Sequence, residues 1–216
     1  MCGRFSASYP PSLLEETYVA AVVDEPPPAK WNVAPTDPVS IVVRRDQREV
    51  RTVRWGLIPS WAKDRKIASR LINARAETVA EKPAFRAALA RRRCLVPADG
   101  WYEWRQKQPF YITRRGGEPV AFAGLYEVWR DPATEELVRT CTIVTTSACA
   151  DLKELHTRMP VVLGAEAWDE WLDPEQEDVS ALLVPCDGFD AYPVSPAVNN
   201  VRNDGPSLIE PLPALF

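Results

Sequence analysis

The sequence contains a single histidine, no Cys-x-x-Cys pair, and no apolar run near the roughly 20 residues that a membrane-spanning helix needs. Each absence removes a class of function. Without a long apolar run, or a basic stretch leading into an apolar one at the N-terminus, a soluble, unexported protein is expected, with no membrane partner. Cys2, Cys94, Cys141, Cys149 and Cys186 are odd in number and lack metal-ligand spacing. Reduced thiols in a cytosol are therefore expected, with no structural zinc, no other metal and no cofactor. Internal repeats, low-complexity tracts and a dividing linker are missing too, so 1–216 is expected to be a single domain.

What is present begins with 46% hydrophobic residues over 216 positions, enough for a substantial core. The net charge of −4 hides an asymmetry. Residues 44–93 hold 15 Lys/Arg against 5 Asp/Glu, whereas the rest of the chain holds 11 against 25. Such a segment is either a solvated face balanced by acidic neighbours or a surface for an anionic partner.

Prolines punctuate the first forty residues. A helix is predicted over 11–22, led by Pro11 and Ser12, followed by a proline-rich extended stretch through Pro35 and Pro38. Residues 40–43 and 50–55 read as strands joined by a turn at 45–48, and Gly56 and Pro59 make 55–61 irregular. A helix is predicted over 81–93, then strands at 94–97 and 101–104 around the turn Ala98-Asp99-Gly100. Further strands are predicted at 110–113, 120–129, 137–146 and 161–163, and short helices at 151–155, 166–172 and 179–183. The sum is an α+β fold with a mixed, largely antiparallel sheet or barrel-like core and short peripheral helices.

Three places carry chemistry. Cys2 follows Met1, and removal of Met1 ahead of a small residue leaves an α-amine and a thiol on one residue. Their ordinary pKa values, about 7.7–8.0 and about 8.5, leave a minority of each nucleophilic at neutral pH. His156 is the one side chain suited without tuning to proton transfer near neutrality. Glu103, between Tyr102 and Trp104 on a predicted strand, is either desolvated there and raised in pKa or an ordinary carboxylate on the exposed face. Asn73-Ala74-Arg75-Ala76-Glu77 adds an amide, a guanidinium and a carboxylate within the basic segment.

Cys2-Gly3-Arg4-Phe5, Asn32-Val33-Ala34-Pro35, the 55–61 segment Trp-Gly-Leu-Ile-Pro-Ser-Trp, Asn73 to Thr78, Pro97 to Trp104 and His156-Thr157-Arg158-Met159-Pro160 together resemble the SRAP family of SOS-response-associated abasic-site-processing proteins. Each motif is weak alone; six in register are specific, and the likeness reaches the Asn203-Asp204-Gly205-Pro206 region. The resemblance implies that Cys2, once N-terminal, forms a thiazolidine with the ring-opened abasic sugar of single-stranded DNA. It implies active-site roles for Asn73, Glu103 and His156, and DNA-backbone contacts from Arg4, Arg75, Arg158 and Thr145. Trp61 matches an aromatic near the point where strands splay, although Ala62 follows where some relatives carry a second bulky ring.

Trp55, Trp61 and Trp101 are the candidates for stacking on bases. The implied setting is a monomer in a bacterial cytoplasm, at the nucleoid when bound to DNA. Two other functions use the same residues: a cysteine hydrolase built on Cys2 and His156, able to remove its own Met1, and a non-covalent single-strand-binding module.

Overall fold

The computed structural model describes residues 2–213. In chain order the elements are β1 (Phe5–Ala7), α1 (Pro11–Tyr18), β2 (Ala21–Val22), β3 (Lys30–Val33), β4 (Pro38–Arg44), β5 (Arg48–Trp55) and β6 (Asn73–Arg75), followed by α2 (Arg86–Arg91), β7 (Arg93–Ala98), β8 (Gly100–Arg105) and β9 (Gln108–Arg114). The second half supplies β10 (Val120–Arg130), β11 (Leu137–Ser147), β12 (Arg158–Pro160), α3 (Trp168–Leu172) and β13 (Phe189–Pro193).

Five of these strands close a barrel. β11, β10, β7, β4 and β5 pair antiparallel in that order, and β5 returns to β11 in parallel through Arg54 opposite Thr140 and Trp55 opposite Cys141. Closure leaves these five strands no bare edge along the ring. A second sheet, antiparallel throughout, runs β13-β9-β8-β1-β3. One hydrophobic cluster joins the two, drawing Phe5, Trp101, Ile112 and Phe189 from the sheet and Val39, Trp55, Val96, Phe122 and Ile143 from the barrel. Trp101 meets Phe122 and Phe189 edge-on, with ring centroids 5.8 and 5.1 Å apart. Each such buried ring contributes about 1.5–3 kcal/mol, so the sheet is fixed against the barrel. The α+β class and the barrel-like core are as the sequence predicts.

Several boundaries differ for identifiable reasons. α1 stops at Tyr18 because Val19 turns left-handed (φ 48°), and Ala21–Val22 then pair with β5 instead of extending the helix. The helix expected over 81–93 shrinks to Arg86–Arg91: residues 78–85 make successive turns, and Arg92 leaves helical geometry so that Arg93 can begin β7. Residues 151–155 are turns rather than helix, the strand expected at 161–163 lies at Arg158–Pro160 with only a bridge at Val162, and Ser180–Leu182 is a 3-10 turn.

Candidate active site

β11 organises the site. Where its barrel neighbours leave it, β6 continues on one edge in parallel, with Asn73 opposite Ile143 and Arg75 opposite Thr145. On the other edge β12 takes over from β10, with Ser147 opposite Arg158. Alternation along β6 sinks Ala74 into the core and leaves Asn73 and Arg75 on the opposite face.

The second sheet brings the remaining groups. Cys2 enters β1, and the amide of Tyr102 donates to the Arg4 carbonyl at 3.0 Å, tying the chain start to β8. The Asn73 amide Nδ2 donates to the Cys2 carbonyl at 2.7 Å. Glu103 shares a face of β8 with Trp101, the face that packs toward the barrel, and is only 3% exposed. Its Oε2 lies 3.9 Å from Nε2 of His156. The backbone N–H of Arg158 donates to His156 Nδ1 at 3.0 Å, so a neutral ring carries its proton on Nε2, toward Glu103. The Arg158 carbonyl, 3.1 Å from the same Nδ1, is placed to accept if that nitrogen is protonated.

Burial shapes the electrostatics. The Glu103 carboxyl is raised above its ordinary range because desolvation by burial outweighs the opposing positive charges around it, His156 among them. The Cys2 thiol is enclosed and pushed far up, first by burial and then by the negative charge of Glu103. Together, Cys2, Asn73, Glu103 and His156 come from four separate chain segments to one location.

The expected DNA-contacting residues divide. Arg75 is exposed. Arg158 is half-buried, with its guanidinium on both oxygens of Glu77 and Nη2 donating to the Thr145 carbonyl at 2.6 Å. Arg4 lies over the Trp104 ring and donates to Asn32 Oδ1 at 2.7 Å and to the Val198 carbonyl at 2.9 Å. Thr145 corrects the expectation of a backbone contact: it is fully buried with its hydroxyl on the Ala74 carbonyl, which leaves it no path to a phosphate. Trp55 and Trp101 likewise belong to the core and cannot stack on bases, whereas Trp61 is 59% exposed. Trp61 borders a cavity of about 770 Å³ lined by Arg54, Lys63, Arg65, Lys66 and Arg70, and the chain runs from there through Ile72 into β6.

Two residues that brace the site escaped sequence reasoning. Asn32 is fully buried; its Oδ1 receives Arg4 while Nδ2 donates to the Asn203 and Asn200 carbonyls at 2.8 and 3.1 Å, docking the C-terminal segment. An amide inside the otherwise apolar Asn32-Val33-Ala34 was the available signal. Glu77 was visible only as part of a polar run. Elsewhere, Cys149, Asp151 and Asp187 gather ligand atoms within 4.8 Å, but Asp151 caps the Gly188 and Phe189 amides and Asp187 that of Ala150, which is a loop brace.

Comparison with known proteins identifies the family. The family model described as "SOS response associated peptidase (SRAP)" matches residues 1–201. The Bacillus subtilis abasic site processing protein YoqW is 41% identical, covering 97% of this chain and 99% of its own. Escherichia coli YedK, named an abasic site processing protein as well, is 35% identical over 98% of this chain and 100% of its own. The rat protein HMCES, under the same description, is 35% identical over 76% of this chain and 57% of its own. A crystal structure of a protein from Bacteroides thetaiotaomicron superposes with a TM-score of 0.88 at 27% identity, covering 98% of this chain and 100% of its own. With a matching family model across most of its length and relatives of this identity, the chain belongs to the SRAP family.

Proposed function

We propose that this protein processes abasic sites in single-stranded DNA by forming a covalent thiazolidine through Cys2 after residue 1 is removed. Met1 lies outside the described residues, but the chemistry of its removal is plain: the Cys2 nitrogen changes from a non-basic amide to an α-amine. That amine attacks the aldehyde carbon of the ring-opened sugar to give a carbinolamine, and loss of water gives an iminium. The Cys2 sulfur then adds to the iminium carbon while its proton passes to a base. The product is a closed five-membered ring plus one water. An iminium left open is an electron sink that promotes strand cleavage; ring closure removes the sink and keeps the strand intact.

The observation that carries this reading is the convergence of a buried carboxyl of raised pKa and a tautomer-fixed imidazole on the Cys2 segment. Glu103 moves the proton of the attacking amine, His156 acts as acid or base at the sugar oxygen, and Asn73 holds the Cys2 carbonyl. Arg75, Arg158 and Arg4 hold the DNA backbone, with Trp61 as the exposed ring beside it. A hydrolase needs a Cys2 thiolate at rest, and burial and Glu103 push the thiol the other way.

The test is incubation with an abasic single-stranded oligonucleotide without borohydride, followed by denaturing electrophoresis. A resistant adduct is expected, absent in Cys2→Ala and in protein whose N-terminus is extended. Adduct formation undiminished in Cys2→Ala overturns the proposal. Peptide cleavage without adduct would point to the hydrolase, and salt-sensitive binding alone to the non-covalent module.

A further inference from the structure

Arg158 has its charge already engaged. Nη1 meets Oε1 of Glu77, Nη2 meets Oε2 at 3.0 Å, and Nη2 also donates to the Thr145 carbonyl. Two parallel N–H bonds from one guanidinium to two oxygens of one anion are also how arginine grips a phosphate. The side chain of Glu77 is 52% exposed against 18% for Arg158, so the carboxylate covers the outer side of the arginine. Arg75, two residues earlier, adds its positive charge to that of Arg158 in keeping the carboxyl ionised. The carboxylate is therefore paired with one of the cations proposed above for the DNA backbone and feels the charge of a second.

We infer that Glu77 is an internal phosphate mimic, occupying the Arg158 seat in the free protein until a DNA phosphate displaces it. This rests on the proposed DNA-binding reading and adds a gate to it. In the free state the carboxylate holds Arg158 in place, and the Arg158 backbone amide in turn fixes the His156 ring. Glu77 is thus a positioning residue. An ion pair whose carboxylate is half open to water is weak enough for a strand phosphate to replace, and a backbone bringing several phosphates at once competes far better than a lone small anion.

The test measures binding of an intact single-stranded oligonucleotide without abasic sites, at low salt, by fluorescence anisotropy. Four variants are compared with the wild type: Glu77→Gln, Arg158→Met, the double variant, and Glu81→Gln, an exposed carboxylate four residues away. Glu77→Gln should tighten binding about two- to fivefold, the change that an exposed ion pair supports. The gain should vanish in the Arg158→Met background and be missing in Glu81→Gln. An equal gain with Arg158 absent, or from Glu81→Gln, would reduce the effect to diffuse charge and overturn the inference. No gain from Glu77→Gln, in protein that melts like the wild type, would overturn it too. Failure of the wild type itself to bind the oligonucleotide would instead remove the DNA reading beneath it.

Discussion

At the residue scale, Glu103 trades stability for reactivity. A carboxyl whose folded-state pKa is raised binds more protons in the folded than in the unfolded chain between its unfolded value, about 4.3, and its folded one. Its contribution therefore favours the fold below that window and is lost as pH rises through it. Glu103→Gln keeps the shape and removes the buried charge. The variant should melt about 2–4 °C higher at pH 7, the shift given by roughly 1 kcal/mol in a chain of this size. The gain should fade toward pH 4, where the wild-type carboxyl is protonated. Cross-linking should fall about a hundredfold, the scale of a lost acid–base group. Thermal melts at both pH values and single-turnover adduct formation check the pair; a variant less stable at pH 7 than at pH 4 relative to wild type contradicts the assignment. Asn73→Ala removes the 2.7 Å bond to the Cys2 carbonyl, and the cross-linking rate should fall about tenfold, the equivalent of one misdirected hydrogen bond.

At the element scale, the site depends on how chain leaves the barrel. Gly56 ends β5 with φ +120°, a conformation side chains rarely adopt, and a Cβ there would approach the Ala68 carbonyl oxygen to 2.9 Å. The Gly56 amide also donates to the Cys141 carbonyl at 2.8 Å, so the turn is pinned to β11. Gly56→Ala should cost about 1–3 kcal/mol in urea unfolding and weaken DNA binding, because residues 65–70 must shift. Unchanged stability would show that the turn relaxes freely.

The same element scale explains what the sequence disclosed. Val50 to Trp55 and the run around Trp101 alternate strongly enough to be read as strands, and Glu103 was legible as a candidate between two aromatics, while its burial came only from the fold. β6 and β12 were not legible: three residues each, they exist by pairing with β11, a contact local pattern does not encode. Those two short strands carry Asn73, Arg75 and Arg158. Their functional meaning came from resemblance, while their geometry came only from the assembled fold. Trp55 and Trp101 failed as stacking candidates for a related reason, since an aromatic's exposure depends on which sheet covers it.

At the scale of the whole molecule, the basic segment at 44–93 is not one patch. Arg48 pairs with Asp169, Arg51 with Glu49 and Asp24, Arg65 with Asp131, and Arg92 with Glu127, while Arg93 is buried on backbone carbonyls. Much of the segment's charge is thereby matched by acidic residues, most of them elsewhere in the chain. Arg54, Lys63 and Arg70 have no such carboxylate partner among the described residues, and all three line the cavity beside Trp61. Anion attraction should concentrate there despite the net charge of −4. For single strands the logarithm of affinity falls with the logarithm of salt by about 0.7 per phosphate contacted. The double variant Lys63→Ala, Arg70→Ala should accordingly flatten the slope by about 1.4, two contacts' worth. Arg130→Ala, which breaks an exposed pair with Glu135 and does not line the cavity, should leave the slope alone. Equal slopes for wild type and the double variant would mean that the strand takes another path across the protein, because counterion release counts contacts irrespective of how strongly each one binds.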